Sequence, residues 1–119
     1  MRPIFVYGTL QQGCSNHIYL AGQRFFGTAR TQPGYRLFEA GGFPGMVPWP
    51  NDAVGVSGEV WLVDHACLAQ LDRLEGIDEG LYRRQPIALL PPFAAMHVET
   101  YIYQRSIEGR PAIGDIWRE

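Results

Sequence analysis

PIFVYG, residues 3–8, is a short apolar run that ends abruptly in a glycine. β-Branched and aromatic side chains favour extended backbone, and an unbroken apolar run of this length is typical of a strand buried on both faces. We therefore expect the chain to begin in the hydrophobic core, as a central strand that ends at Gly8. Thr9 and Leu10 follow as the start of a turn.

The remaining pattern consists of short strands and two short helices. Asn16 is a candidate N-cap for a short helix that ends before Gly22, and Asp64 is a stronger one for a helix that Gly76 would stop. Further strands are expected at residues 24–30, 35–39, 54–63, 82–90 and 97–104. These elements predict an α+β fold with a small, mixed, mostly antiparallel β-barrel and flanking helices.

Glycine and proline mark the irregular parts of the chain. The segment 40–52 reads AGGFPGMVPWPND, which predicts mostly loop. Ser57-Gly58 interrupts a strand pattern, which indicates either a bulge or a close approach of something bulky over Gly58.

Composition excludes several classes of function. The chain has 119 residues, 46% of them hydrophobic, and a formal net charge of -2, so we expect one domain over residues 1–119 and no nucleic-acid partner. No apolar run is long enough to span a bilayer, which predicts a cytoplasmic protein without a membrane partner. Cys14 and Cys67 are the only cysteines and no histidine has ligand spacing, so we expect neither a disulfide framework nor a metal or cofactor.

Glu75 is the first candidate for chemistry. It lies in the last turn of the predicted helix, at the border of the apolar face, with Asp72, Asp78 and Glu79 nearby. Burial and like charges would raise the pKa of its carboxyl group toward that of a useful general base. The alternative is a solvated acidic helix end paired with a nearby arginine, and spacing alone favours that alternative.

Two further candidates lie near the N-terminus. The loop after the first strand, Tyr7 to Leu10, can present successive backbone N–H groups to a carboxylate or an oxyanion, although the motif alone favours an ordinary turn. Cys14 and His17 could form a thiol nucleophile and its base, but no third member of such a site is evident.

Taken together, the motifs resemble the γ-glutamylcyclotransferase-like superfamily, in particular its small AIG2-like members related to γ-glutamylamine cyclotransferase. The resemblance covers nearly the whole chain and rests on motifs in a fixed order: VYGTL at 6–10, Gly13, Asn16-His17, GEV at 58–60, LDRLEG at 71–76, YRR at 82–84 and YIY at 101–103. The pairing of YGTL with a later LDxxEG is more specific than either motif alone.

The resemblance implies an activity. Such enzymes make the α-amino group of a small γ-glutamyl amide attack its own γ-carbonyl, which releases 5-oxoproline and an amine or amino acid. It implies that Glu75 is the general acid/base and that Tyr7, Gly8, Thr9 and Leu10 bind the substrate. Tyr82 and Tyr103 match aromatic positions near the pocket and are also expected to bind it.

Two questions stay open at this point. A non-catalytic module that binds a small carboxylate in the same pocket is the alternative to the enzyme. The leaving amine is not determined either; an acidic rim formed by Asp78 and Glu79 would favour a cationic amine, and the loop around residues 43–50 is the other region expected to influence this choice.

Overall fold

The computed structural model describes all residues, Met1–Glu119. It contains one α-helix, one 3₁₀ helix and eight strands, which confirms the predicted α+β class. In chain order these are β1 (Arg2–Val6), the 3₁₀ helix (His17–Leu20), β2 (Arg24–Arg30), β3 (Tyr35–Glu39), β4 (Pro44–Pro48), β5 (Ser57–Val63), α1 (His65–Leu74), β6 (Tyr82–Ile87), β7 (Val98–Tyr103) and β8 (Ala112–Gly114).

The strands form two sheets, so the predicted barrel is not closed. The larger sheet has the order β2-β5-β1-β7-β6, and the smaller has the order β4-β3-β8. All pairs are antiparallel except β1 with β7, where Ile4 pairs with Glu99 in parallel register. The mostly antiparallel sheet expected from the sequence is therefore found, with one parallel contact at its centre.

β1 is buried on both faces, as its unbroken apolar pattern predicts. Ile4 and Val6 belong to one hydrophobic cluster, and Phe5 and Tyr7 belong to a second cluster on the opposite side. Successive side chains of a strand point to opposite faces, so one short segment contributes to both halves of the core. Gly8, which follows Tyr7, consequently lies at the end of the central strand of the larger sheet.

The segment 40–52 contains a strand, where the sequence predicted mostly loop. β4 pairs with β3 from Tyr35↔Pro48 to Glu39↔Pro44. Its two prolines lie at the ends of an edge strand, where a missing N–H donor costs little. Gly45 is required inside it, because a Cβ there would come 2.7 Å from Cγ of Tyr103.

Gly58 shows the close approach that was one of its two predicted explanations. A Cβ at Gly58 would lie 2.3 Å from the carbonyl oxygen of Val6 and 2.7 Å from Cζ of Phe5. The register shift of this strand pair lies in β2, between Phe25 and Gly27, and not at Ser57-Gly58. The Phe5 ring is thus the bulky group over Gly58.

α1 begins and ends where the capping residues predict. The Asp64 side chain accepts a hydrogen bond of 2.8 Å from the backbone N–H of Cys67, and the helix runs to Leu74. Gly76 has a φ of +64°, which only glycine adopts without strain, so the chain turns sharply there. Glu75 is left at the C-terminal cap, directly before this turn.

The expected N-terminal helix is the 3₁₀ helix, anchored by the buried side chain of Leu20. Asn16 precedes it, but its side chain makes no capping hydrogen bond. Neither this helix nor α1 has the length and apolar composition that a membrane span requires.

Candidate active site

The loop that follows β1 exposes unpaired backbone donors. It is closed by a hydrogen bond of 3.1 Å from the N–H of Gln11 to the carbonyl of Gly8, and the Gln11 side-chain amide donates to the carbonyl of Tyr7 at 2.9 Å. The N–H groups of Gly8, Thr9 and Leu10 find no acceptor within the protein. Since such groups require partners, the loop is suited to bind an acceptor-rich ligand.

Residues far along the chain hold this loop in place. Asn16 donates from its side chain to Thr9 Oγ1 at 3.0 Å and from its backbone to the Thr9 carbonyl at 2.8 Å. The buried Glu59 carboxylate accepts from the backbone N–H of Gln12 at 3.1 Å and from the Trp61 indole at 3.0 Å. The loop is therefore fixed from both sides, and its N–H groups are preorganised.

Pro44 packs against the same loop. A Cβ at Gly8 would come 2.7 Å from Cγ of Pro44 and 3.0 Å from its Cδ. Gly8 is thus needed for a close contact within the protein, in addition to any contact with a ligand.

Glu75 is half-buried, and its carboxylate accepts no hydrogen bond from the protein. Burial alone raises the pKa of this carboxyl group from 4.5 to about 7. The like charges invoked from the sequence are not the cause, because Asp78 and Glu79 are exposed and do not line the cavity beside Glu75. A carboxyl group with this pKa can gain and lose a proton near neutral pH.

One cavity of about 200 Å³ joins the loop to Glu75. Its volume is below the roughly 300–1,000 Å³ of pockets for drug-sized ligands, so it suits a small group. Most of its wall is apolar, and Glu75 is the only ionised side chain that lines it. The lining residues are Phe5, Val6, Tyr7, Gly8, Thr9, Leu10, Asn16, Phe43, Pro44, Leu74, Glu75, Leu81, Tyr82 and Tyr101.

The tyrosine hydroxyls around the cavity donate to protein groups. Tyr7 donates to the Tyr101 carbonyl at 2.6 Å, and Tyr82 donates to the Pro44 carbonyl at 2.5 Å. Burial is the main cause that raises the pKa of both phenols, and the charge of Glu75 acts in the same direction, so both stay protonated and neutral. Their hydroxyl protons are consequently not available to a ligand.

Six of the seven residues that the family resemblance assigned to the site line this cavity, and Tyr103 does not. Tyr103 packs edge-on behind Tyr82, with ring centroids 5.4 Å apart, and under Gly45. It supports the wall without lining it.

The thiol considered from the sequence is not activated. Burial, with smaller effects from Glu119 and Glu59, raises the pKa of Cys14, whereas a nucleophilic cysteine needs a lowered one. The His17 Nδ1 lies 3.0 Å from the Leu10 carbonyl, and its ring packs on Trp61. No cluster of three or more His, Cys, Asp or Glu side chains is placed to hold a metal ion.

Sequence reasoning missed several lining residues. Leu81, in the turn after α1, was not singled out, whereas Phe43 and Pro44 lie in the 43–50 region expected to influence the choice of leaving amine. Tyr101 is missed because it lies two residues from Tyr103, on the same face of β7, so the sequence pattern cannot tell which of the two tyrosines lines the cavity. The clue for Phe43 and Pro44 was the Gly/Pro-rich composition of segment 40–52, which is typical of site-shaping loops.

Comparison with known proteins places these features in a family. A family model described as "Gamma-glutamyl cyclotransferase, AIG2-like" matches residues 4–119. A Vibrio cholerae serotype O1 protein, provisionally named a gamma-glutamylcyclotransferase, is 44% identical over 103 residues, which cover 87% of this chain and 83% of that protein. The gamma-glutamylcyclotransferase family protein YtfP of Escherichia coli K12 is 35% identical over 106 residues, covering 89% of this chain and 86% of its own.

A solved structure agrees with the sequence matches. The crystal structure of an AIG2-like protein from Mus musculus superimposes with a TM-score of 0.79 at 28% identity, covering 91% of this chain and 81% of that one. The chain therefore belongs to the gamma-glutamyl cyclotransferase, AIG2-like family.

Proposed function

We propose that this protein is a γ-glutamyl cyclotransferase that releases 5-oxoproline from a γ-glutamyl amide, with Glu75 as its general acid/base. The observation that carries the proposal is the placement of two complementary groups in one small cavity. A carboxyl group with a pKa of about 7 lines it together with three residues whose backbone N–H groups have no protein acceptor. The family membership supports activity of this type.

The two groups match the two ends of the reacting unit. A γ-glutamyl amide has an α-ammonium group, which needs a base, and carboxylate and carbonyl oxygens, which need donors. Glu75 in its ionised form accepts one proton from the α-ammonium group and frees the nitrogen lone pair. The N–H groups of the loop at residues 8–10 bind oxygen atoms of the substrate and stabilise negative charge that develops on the γ-carbonyl oxygen.

Ring closure then needs no nucleophile from the protein. The freed nitrogen attacks the γ-carbon, and a five-membered tetrahedral intermediate forms. Glu75 returns the proton to the leaving nitrogen, and the old C–N bond breaks. The ring nitrogen still carries two protons, and Glu75, ionised again, accepts one of them, which gives neutral 5-oxoproline. That proton then passes to the released amine, which leaves as an ammonium ion. A well-oriented intramolecular attack can contribute about 7–11 kcal/mol of barrier lowering, so holding the substrate in its folded conformation is the main task of the cavity.

The test is release of 5-oxoproline by the purified protein from a panel of γ-glutamyl amines and γ-glutamyl amino acids. Glu75→Gln keeps the shape of the side chain and removes its proton transfer, so kcat should fall by about 10²- to 10⁴-fold. Glu79→Gln makes the same chemical change at an exposed position four residues later and should leave kcat unchanged.

Two results would count against the proposal. Full activity of Glu75→Gln would remove Glu75 from the mechanism. Saturable binding of glutamate-like ligands without any turnover across the panel would instead identify a non-catalytic binding module.

A further inference from the structure

Tyr101 lines the cavity but has no part in the proposed reaction as described above. It lies on β7, is only 3% exposed, and lines the cavity together with Glu75. Among the cavity tyrosines, it is the one whose hydroxyl bonds to a carboxylate. The Tyr101 hydroxyl donates to Asp72 Oδ1 at 2.8 Å.

Asp72 is held firmly as an acceptor. Arg84 binds it with both Nε, at 3.0 Å to Oδ1, and Nη2, at 3.2 Å to Oδ2. The same guanidinium reaches Glu99 through Nη1 at 2.8 Å, and Arg2 pairs with Glu99 from β1. This network ties α1 to β6, β7 and β1, so Asp72 cannot turn away from Tyr101 without breaking the bidentate ion pair.

The direction of the Tyr101 hydroxyl proton is thereby fixed. An ionised carboxylate only accepts hydrogen bonds, so the phenol must donate to Asp72 and keeps only its oxygen lone pairs for a ligand. Burial first, and then the bond to Asp72, raises the pKa of Tyr101, and the charge of Glu75 acts in the same direction. The phenol therefore stays protonated at neutral pH, and Glu75 lies close enough to influence it.

The cavity is consequently lined by two chemically distinct sets of groups. The loop at residues 8–10 offers N–H donors, which suit anionic oxygens. Glu75 and Tyr101 line the same cavity and carry acceptors, a carboxylate and a phenol oxygen, which suit an ammonium group.

We infer that Tyr101 is a substrate-binding residue whose phenol oxygen accepts a hydrogen bond from the α-ammonium group of the γ-glutamyl ligand and orients that nitrogen beside Glu75. This inference rests on the proposed function only in assuming that a γ-glutamyl group occupies the cavity. Asp72 and Arg84 act through Tyr101 as positioning residues and do not touch the ligand.

The experiment compares two ligands that differ only in the α-amino group. L-Glutamate and glutarate both carry the two carboxyl groups, and neither has a leaving amine, so calorimetric titration measures binding without turnover. Wild-type protein should bind L-glutamate more tightly than glutarate. Tyr101→Phe should weaken L-glutamate binding by about 10- to 100-fold, the usual effect of losing a hydrogen bond to a charged group, and change glutarate binding by less than about twofold.

A matched control removes a hydroxyl elsewhere. Tyr35 lies on β3, outside the cavity lining, and its hydroxyl makes no hydrogen bond within the protein, so Tyr35→Phe should change neither affinity. If Tyr101→Phe weakened the binding of L-glutamate and of glutarate equally, Tyr101 would have a purely structural role and the inference would be overturned. Unchanged binding of L-glutamate in that variant, or a wild-type protein that does not prefer L-glutamate over glutarate, would also overturn it.

The outcome is separable from that of the proposed function. Amine-selective binding that is lost in Tyr101→Phe, with no 5-oxoproline from any substrate, would refute the cyclotransferase and leave the Tyr101 site standing. Release of 5-oxoproline by the wild-type protein, together with a Tyr101→Phe variant that still prefers L-glutamate over glutarate, would support the cyclotransferase and refute the Tyr101 site.

Discussion

Asp72 and Glu75 lie three residues apart at the end of α1, and only Asp72 has partners in the protein. Asp72 accepts hydrogen bonds from Arg84 and Tyr101, whereas the Glu75 carboxylate accepts none and lines the cavity. One helix end thus supplies a paired carboxylate that positions its surroundings and an unpaired one whose pKa is raised to about 7 by burial. The contrast separates an acid that maintains structure from one suited to proton transfer.

The first prediction concerns the pH dependence of turnover. Glu75 accepts a proton only in its ionised form, so kcat/KM should rise about tenfold per pH unit below about 7 and level off above it. The measurement is 5-oxoproline release between pH 5 and 9 in a buffer of constant ionic strength. An apparent pKa near 4.5, the ordinary value for glutamate, would show that burial does not control the group.

A second prediction concerns the stability cost of Glu75. Because its folded-state pKa is raised, the folded protein holds this proton more tightly than the unfolded chain does between pH 4.5 and about 7. The free energy of unfolding should therefore fall as pH rises through that window. Glu75→Gln stays neutral, so it should match wild type at pH 4 and be more stable by about 1–3 kcal/mol at pH 8.

Denaturant unfolding of both proteins at the two pH values measures this difference. Glu79→Gln, at an exposed position, should show no gain that depends on pH. A Glu75→Gln variant that is less stable than wild type at pH 8 would indicate that the carboxylate has a partner in the folded protein.

Local features of the fold could be predicted from the sequence because they depend on neighbouring residues. The double burial of β1 follows from its own apolar pattern, and the ends of α1 follow from Asp64 and Gly76. Glu75 could be placed at the edge of the apolar helix face by the same reasoning. These predictions required only periodicity and capping chemistry.

Features that depend on distant pairing could not be predicted. β4 exists because Gly45 accommodates the Tyr103 ring, a contact between segments 58 residues apart in sequence. The distinction between Tyr101 and Tyr103 depends on Asp72 and Gly45, and neither is a sequence neighbour. Similarly, nothing in the strand pattern around Glu59 indicates that its carboxylate accepts a hydrogen bond from the backbone N–H of Gln12, in the distant loop after β1.

A third prediction follows from the position of Tyr103 outside the cavity wall. Its hydroxyl makes no hydrogen bond within the protein, so Tyr103→Phe should leave kcat/KM within about twofold of wild type. Removal of the ring is different, because it packs on Tyr82 and fills the space at Gly45. Tyr103→Ala should destabilise the fold by about 3–5 kcal/mol, measured by denaturant unfolding. A large loss of kcat/KM in Tyr103→Phe, with stability unchanged, would return Tyr103 to the substrate site.

The last prediction tests the contact that fixes the loop after β1. A methyl group at Gly8 would come 2.7 Å from Cγ of Pro44, so Gly8→Ala must displace either the loop or β4. We expect a loss of about 1–3 kcal/mol in the free energy of unfolding and an increase in KM, because the N–H groups of residues 8–10 move with the loop. Pro44→Ala removes the clashing Cγ and Cδ atoms, so the double variant Gly8→Ala/Pro44→Ala should be more stable than the sum of the two single changes predicts. Additive effects in this cycle would mean that contact with Pro44 is not what requires glycine at position 8.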